Sequence, residues 1–327
     1  MVRAIVIADD DGSITTRVSE VEEADLPEGD VVVDVAYSTV NYKDALAMVN
    51  GRPVVASFPM VPGVDFAGTV VSSEHAAWRP GDAVVLNGWG VGERRWGGLA
   101  ERARVDGDWL VARPGGLSAR DCMVIGTAGY TAMLSVMLLE QQGVNPGSGP
   151  VLVTGATGGV GSVAVAVLAG LGYEVVAATG KASEEAYLRA LGAADVVDRA
   201  ELSGDVRPLA KQRWGAAIDN VGSVVLANVL AATAYGGTVI ACGNAGGMDL
   251  PSSVAPFILR GVRLVGVESV MAPIELRRTA WARLATELPA SARDAMALDA
   301  TLADAPDIAR RMLAGETRGR YAVDVRS

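Results

Sequence analysis

Histidine and cysteine are nearly missing from this chain: His75 is the single histidine, and Cys122 and Cys242 are the only cysteines in 327 residues. A catalytic zinc normally takes three ligands rich in His and Cys, and a structural zinc takes four. The chain can assemble neither set without leaning on carboxylates alone, so no metal is expected. Two distant cysteines suit small buried side chains in a reducing compartment better than a disulfide. One histidine leaves no Ser/His/Asp or Cys/His set, which excludes the usual hydrolase chemistry. His75 itself lies in Ser-Ser-Glu-His-Ala-Ala-Trp and reads as a loop histidine in a polar turn after a strand.

Positive charge is also short. The formal net charge is −10, which opposes phosphate backbones and acidic membrane surfaces while leaving room for one local basic pocket. Neither nucleic acid nor a membrane is expected as a partner. No apolar run reaches the ~18 residues of a membrane span. The opening Met-Val-Arg-Ala-Ile-Val-Ile-Ala-Asp-Asp places acids directly after a short apolar strand, unlike a signal peptide. A cytoplasmic location is therefore expected. Half of the residues are hydrophobic, enough for large cores, and the length suits two domains of about 130 to 200 residues each.

The stretch from Val151 to Lys181 organises what is present. Val-Leu-Val-Thr-Gly-Ala-Thr-Gly-Gly-Val-Gly-Ser leads into an Ala/Val/Leu run and then Gly-Tyr-Glu-Val-Val-Ala-Ala-Thr-Gly-Lys. A buried strand thus meets a glycine turn, a helix and a second strand, which is a βαβ unit. Gly155, Gly158 and Gly161 fall three apart, and Ala156 replaces the first glycine of the usual Gly-x-Gly-x-x-Gly count. Small residues let the backbone approach a pyrophosphate, and the following helix aims unpaired N–H groups at that anion. Glycines alone are weak evidence, but correct flanks on both sides make this a dinucleotide site.

In chain order, Arg3–Ile7 and Val31–Tyr37 read as strands, separated by an acidic segment ending in the turn Pro-Glu-Gly-Asp. Asn41 caps a short helix over Tyr42–Ala47. Short strands with Pro/Gly turns continue to about residue 120 and predict a compact, mostly β first domain. Past Gly-Thr-Ala-Gly-Tyr-Thr-Ala at 126–132 a helix runs to about Gln142. Parallel strands are then predicted at Val151–Thr154, Glu174–Thr179, Asp195–Asp198, Ala216–Asn220, Thr238–Cys242 and Arg263–Val267. Six strands joined by crossovers make a doubly wound sheet with ligands at their carboxyl ends. The tail is helix-rich and closes in a strand over 319–325. The expected division is 1–122, 123–271 and a segment 272–327 that returns to the first domain.

The blocks Asn-Tyr-Lys-Asp-Ala-Leu-Ala at 41–47, Pro-Gly-Val-Asp-Phe-Ala-Gly-Thr-Val at 62–70, Gly-Trp-Gly-Val-Gly-Glu at 88–93, Trp-Gly-Gly-Leu-Ala-Glu at 96–101, Gly-Thr-Ala-Gly-Tyr-Thr-Ala-Met-Leu at 126–134, Val-Thr-Gly-Ala-Thr-Gly-Gly-Val-Gly-Ser at 153–162 and Pro-Phe-Ile-Leu-Arg-Gly-Val at 256–262 resemble the acrylyl-CoA reductase family. That family belongs to the zinc-free, quinone-oxidoreductase-like branch of the medium-chain dehydrogenases/reductases. The resemblance covers nearly the whole chain. It implies an α/β protein with a GroES-like, mostly β catalytic domain and a Rossmann domain with a doubly wound parallel sheet. It also implies NADPH-dependent reduction of acrylyl-CoA to propionyl-CoA.

Residue by residue, the resemblance places Thr157, Gly158, Gly159 and Val160 at the pyrophosphate turn. Thr179, Gly180 and Lys181 fall at the adenosine ribose and its phosphate, with Arg199 beside the adenine. Tyr42, Gly243, Phe257, Glu268 and Arg320 fall around the nicotinamide half and the cleft. Plainer roles compete: core packing for Phe257, a surface acid for Glu268, and a solvated residue before the last strand for Arg320. Arg94 and Arg95 lie between family blocks without being fixed by them. They are either surface charges or binders of a coenzyme A phosphate.

The implied chemistry is hydride transfer to the β carbon of an enoyl thioester, followed by protonation of the α carbon. Tyr42 is the catalytic candidate, polarising the thioester or relaying the proton, with packing against the nicotinamide as its alternative. Preference for NADPH also follows from the residues. NAD-specific sites carry an acid about 20 residues beyond the glycine turn, whereas Ala178-Thr179-Gly180-Lys181 offers a hydroxyl, bare backbone and a cation. Ser183 is expected to cap a helix that holds Glu184 and Glu185 in its exposed first turn. The apolar edge Arg263–Val267 predicts a homodimer through the coenzyme domain. A reductase of free quinones or alkenals, and an NADPH-binding protein without turnover, stay open beside the enoyl-CoA reductase.

Overall fold

The computed structural model describes all residues, 1–327, and resolves them into two units. Unit 1 comprises Met1–Thr127, Ser269–Ala285 and Met296–Ser327; unit 2 comprises Ala128–Glu268 and Thr286–Ala295. The ten residues 286–295, inside the segment expected to return to the first domain, thus group with unit 2.

Unit 1 begins with a hairpin of β1 (Val2–Asp10) and β2 (Ser13–Val21). Asp11 and Gly12, both at positive φ, form its two-residue turn, the conformation that Asp-Gly favours between strands. Sequence reasoning took only β1 as a strand and missed β2. Next come β3 (Val31–Thr39), α1 (Tyr42–Asn50), β4 (Asp65–Ser73), β5 (Ala83–Asn87), β6 (Arg102–Val105) and β7 (Val111–Ala112). In β3 the alternation Val31, Val33, Val35 turns one face into the core, where all three are buried. They pack with Ile5, Ile7, Phe66, Leu86 and Leu99.

α2 (Ala119–Gln141) is broken at Gly126, whose φ of 53° and ψ of −163° leave the helical region. It starts at Ala119, well before the predicted helix. It is also apolar and long enough to cross a membrane, contrary to the expectation that no segment is, but 83% of its apolar window is buried within the protein.

Unit 2 carries β8 (Val151–Thr154), α3 (Gly159–Gly170), β9 (Val175–Thr179), α4 (Glu185–Ala190), β10 (Asp195–Asp198), β11 (Trp214–Asp219), α5 (Ser223–Ala232), β12 (Thr233–Ala241), α6 (Ala255–Arg260) and β13 (Arg263–Gly266). All six strands run parallel in the order β10-β9-β8-β11-β12-β13. β8 and β9 are apolar on both faces and wholly buried, as strands covered by helices on both sides must be. Each fully buried Val or Leu there is worth roughly 1.5–3 kcal/mol. The order reverses between β8 and β11, and a doubly wound sheet binds ligands at the carboxyl ends beside that reversal.

The tail then forms α7 (Ile274–Glu287), α8 (Ala290–Met296), β14 (Ala297–Thr301), α9 (Ala305–Leu313) and β15 (Arg320–Asp324). β15 pairs with β14 on one side and antiparallel with β3 on the other. Unit 1 therefore has a seven-stranded sheet, ordered β14-β15-β3-β4-β5-β7, with β6 also paired to β3.

Candidate active site

The turn after β8 in unit 2 is built for close approach. Gly155 takes a φ of +58°, and Gly158 caps the N-terminus of α3. A Cβ on Gly161 would lie 2.6 Å from Ala156 Cα and collide with the Gly155 carbonyl, so only glycine lets the helix start against its own turn. The first N–H groups of α3, on Gly159, Val160 and Gly161, have no helical acceptor and form a cradle for a phosphate. Thr157 and Thr179, both buried, meet from adjacent strand ends with Oγ1 atoms 3.5 Å apart. Thr179 Oγ1 also accepts from Lys181 N at 3.1 Å.

Beyond β9, the Arg199 guanidinium lies flat against Gly180, where a Cβ would come within 3.1 Å of it. Partial burial lowers the Lys181 pKa, opposed by the charge of Glu184. Thr179, Gly180, Lys181 and Arg199 thus gather at one strand-end rim. Ser183 does not cap the helix there: it lies in a short 3-10 turn, and α4 starts at Glu185 behind Glu184. Glu185 is taken up by Arg189 at 2.8 Å.

The strand-order reversal is tied by residues that sequence reasoning did not select. The Asp219 carboxylate accepts from Thr154 Oγ1 and Gly222 N, both at 2.7 Å, and Asn220 Nδ2 donates to Thr154 O at 2.7 Å. Asp219 is buried, which raises its pKa, while these hydrogen bonds lower it. Gly243 passes so close to Asn220 that a Cβ would sit 2.7 Å from the Asn220 carbonyl carbon. Phe257, in α6, packs against the unit's hydrophobic core, which favours its plainer role. Glu268 is exposed two residues beyond β13.

In unit 1, Tyr42 is the first residue of α1 and is 42% exposed amid buried neighbours. Its mount is a side-chain network. The Asp44 carboxylate accepts from Asn41 N at 2.9 Å, closing a capping box, and its other oxygen accepts from Gly63 N at 3.0 Å and Val64 N at 2.9 Å. Asn41 Nδ2 donates toward Thr39 Oγ1 and Asp65 Oδ2, and Thr127 N donates to Asp65 at 2.6 Å. Burial, reinforced by the charge of Asp65 and opposed by bonds from Asn41 and Val64, pushes the Asp44 carboxyl up to about 7.

Arg320 enters this network from β15. Its guanidinium donates to Val124 O and to Asn41 Oδ1, both at 3.1 Å, and only 3% of the residue is exposed. The plainer role of a solvated arginine before the last strand is thereby overturned. The break at Gly126 makes room for it: a Cβ there would collide with the guanidinium and lie 3.0 Å from Asp65 Oδ2. Asp44 had a local signal, its capping-box spacing from Asn41, but Asp65 had none, and the contacts that bring Gly63, Thr127 and Arg320 to this network span long sequence separations.

Residues 27–115 match the alcohol dehydrogenase GroES-like domain, and residues 159–286 match the zinc-binding dehydrogenase family. The residues present do not fit a zinc ion. No three His, Cys, Asp or Glu side chains are grouped to hold one, Cys122 is buried, and burial pushes the Cys242 thiol up to about 12. These folds and the glycine cradle define a medium-chain dehydrogenase/reductase.

Among relatives, the chain is 54% identical to the probable acrylyl-CoA reductase AcuI of Escherichia coli K12 over 99% of both chains. It is 51% identical to acrylyl-CoA reductase AcuI of Ruegeria pomeroyi, again over 99% of both. Among solved structures, the YhdH oxidoreductase of Salmonella enterica in complex with NADP superposes with a TM-score of 0.97 at 54% identity, covering 99% of each chain. The chain belongs to the acrylyl-CoA reductase family, in the quinone-oxidoreductase-like branch of that superfamily.

Proposed function

We propose that this chain reduces the carbon–carbon double bond of acrylyl-CoA, or a similarly short enoyl-CoA, to the saturated thioester with NADPH. The observation that carries this is the full-length similarity to two acrylyl-CoA reductases. Unit 2 independently offers a cradle that fits a phosphorylated dinucleotide. When bound, NADPH supplies the hydride for the β carbon of the alkene.

The chain's own residues bind and orient. At the turn Thr157–Val160 the Gly158 N–H is given to Gly155 O, the N–H groups of Gly159 and Val160 take the pyrophosphate, and Thr179, Gly180, Lys181 and Arg199 take the phosphorylated ribose and the adenine. Gly243 leaves backbone room beside Asn220, Glu268 belongs to the nicotinamide half, and Phe257 serves the core it packs against. Tyr42 presents a phenol that polarises the thioester oxygen or relays the proton to the α carbon. Arg320 acts from inside the fold by fixing Asn41, the residue before Tyr42.

The discriminating experiment follows NADPH oxidation with acrylyl-CoA, acrolein, a quinone and no acceptor. Turnover with acrylyl-CoA is expected. Turnover only with the free electrophiles assigns the chain to quinone or alkenal reduction, and none with any acceptor leaves a binding protein.

The protein is cytoplasmic and homodimeric in this proposal. β13 is an edge strand, and Tyr235, Met248, Val254, Ile258 and Leu259, on or near β12 and α6, are each 61–83% exposed. An apolar edge of this kind is ordinarily covered. A monomeric mass by light scattering at micromolar concentration would sink the dimer.

A further inference from the structure

Four side chains of unit 1 form a ladder. The buried Arg277 guanidinium lies 4.3 Å from the Trp89 ring, Trp89 stacks on Trp109 with centroids 6.1 Å apart and planes at 12°, and Arg95 covers Trp109 at 5.0 Å. The inner end is fixed, because Arg277 donates to Ala272 O, Val270 O and Asn87 O. The outer end is not spent: Arg95 is exposed and its guanidinium makes no hydrogen bond or ion pair with any protein acceptor, and the same holds for the guanidinium of Arg94 beside it. Stacking holds a guanidinium plane in place while leaving its N–H edge available, which suits bidentate capture of a phosphate.

Arg94, Arg95 and Trp96 line one open pocket together with Ser57 and Glu28. Trp96 anchors its indole through Nε1 to Pro59 O at 3.2 Å, so its ring is a fixed apolar surface for a base. The pocket is linked to the proposed chemistry within the same unit. Lys43, the residue after Tyr42, pairs at 3.0 Å with Glu93, the residue before Arg94. The chain around Tyr42 and the arginine pair are thus adjacent along one surface path.

We propose that Arg94, Arg95 and Trp96 form the subsite for the phosphorylated nucleotide end of coenzyme A, a site that rests on the acyl-CoA reading of the chain. The arginines hold phosphate oxygens, Trp96 packs the adenine, and Ser57 offers a hydroxyl. Glu28 opposes the anion and weakens binding, since it too has no cationic partner.

The test compares the wild type, Arg94→Gln/Arg95→Gln and Glu28→Gln with acrylyl-CoA, its 3′-dephospho form and acrylyl-N-acetylcysteamine, which lacks the nucleotide. The double variant should raise KM for acrylyl-CoA about 10- to 100-fold, raise it less for the dephospho substrate, and leave kcat/KM for the truncated thioester and KM for NADPH unchanged. Glu28→Gln should lower KM for acrylyl-CoA. Inorganic phosphate should compete only weakly; competition as strong as that of free coenzyme A would assign the pocket to phosphate alone and overturn the proposal. An unchanged KM for acrylyl-CoA in the double variant, or an equal loss with the truncated thioester, overturns the subsite without touching the reductase reading. A wild type that reduces no thioester overturns that reading, and this site with it.

Discussion

The two units build their candidate residues from different material. In unit 2 the nucleotide cradle is mostly backbone: Gly155, Gly158, Gly161 and Gly180 clear the space, and α3 supplies the N–H groups. In unit 1 the mount for Tyr42 is side chain, a buried set of Thr39, Asn41, Asp44, Asp65 and Arg320 from separate segments. A backbone cradle tolerates many side chains around it but almost none at its glycines. A polar network tolerates little change at any member, because each loss strands another buried group.

The sharpest way to break this contrast is Gly161→Val. Its Cβ and methyl groups would enter the space of Gly155 and Ala156, so NADPH binding should fall by more than about 10³-fold with several kcal/mol of overpacking strain. Titration of nucleotide fluorescence and a denaturation curve would check it, and near-normal affinity would show that the turn is not the cradle. Tyr42→Phe comes next. Removal of the hydroxyl should lower kcat about 10²- to 10⁴-fold if the phenol handles a proton, with NADPH affinity little changed; unchanged turnover leaves only packing.

The third effect is a pH dependence carried by Asp44. Its folded pKa is raised from 3.8 to about 7, so the stability linked to the protonated form is complete below about pH 4 and is lost as pH rises through 7. The loss amounts to at most about 4 kcal/mol. Urea midpoints from pH 4 to 8 should fall more steeply for the wild type than for Asp44→Asn; parallel slopes would remove Asp44 as the cause. Smallest is the joint change Lys181→Ala and Arg199→Ala. It should weaken NADPH about 10- to 100-fold from two charge-assisted contacts, one partly buried and one exposed, while leaving NADH alone. Equal losses for both cofactors would show that these residues do not read the phosphate.

The same contrast explains what could be read before the structure. All six strands of the unit 2 sheet were located in the sequence, β8 and β10 to the residue; the central β8 and β9 are wholly buried and write that burial into contiguous apolar sequence, while the edge strand β10 keeps only a Val-Val pair between exposed acids. The glycine turn is equally local. The unit 1 network is not: Asp44 reaches Gly63, Asn41 reaches Arg320, and Asp65 reaches Thr127. No window of sequence contains both partners. β2 was missed for another reason, since Ser13–Val21 is only partly buried and lacks the apolar alternation of β3. Its signal was the Asp11-Gly12 turn before it.

Strand β15 carries a consequence for biosynthesis. It follows every other strand in sequence, lies between β14 and β3, and delivers Arg320 to Asn41. While the ribosome is still adding residues, β3 has β4 and β6 beside it but no partner on its Ala36–Thr39 flank, where β15 will pair. The parallel sheet of unit 2 is complete in sequence by Gly266 and can close during translation. The Tyr42 mount closes only once β15 has emerged, after every strand of the parallel sheet, so the glycine turn can form before that mount does.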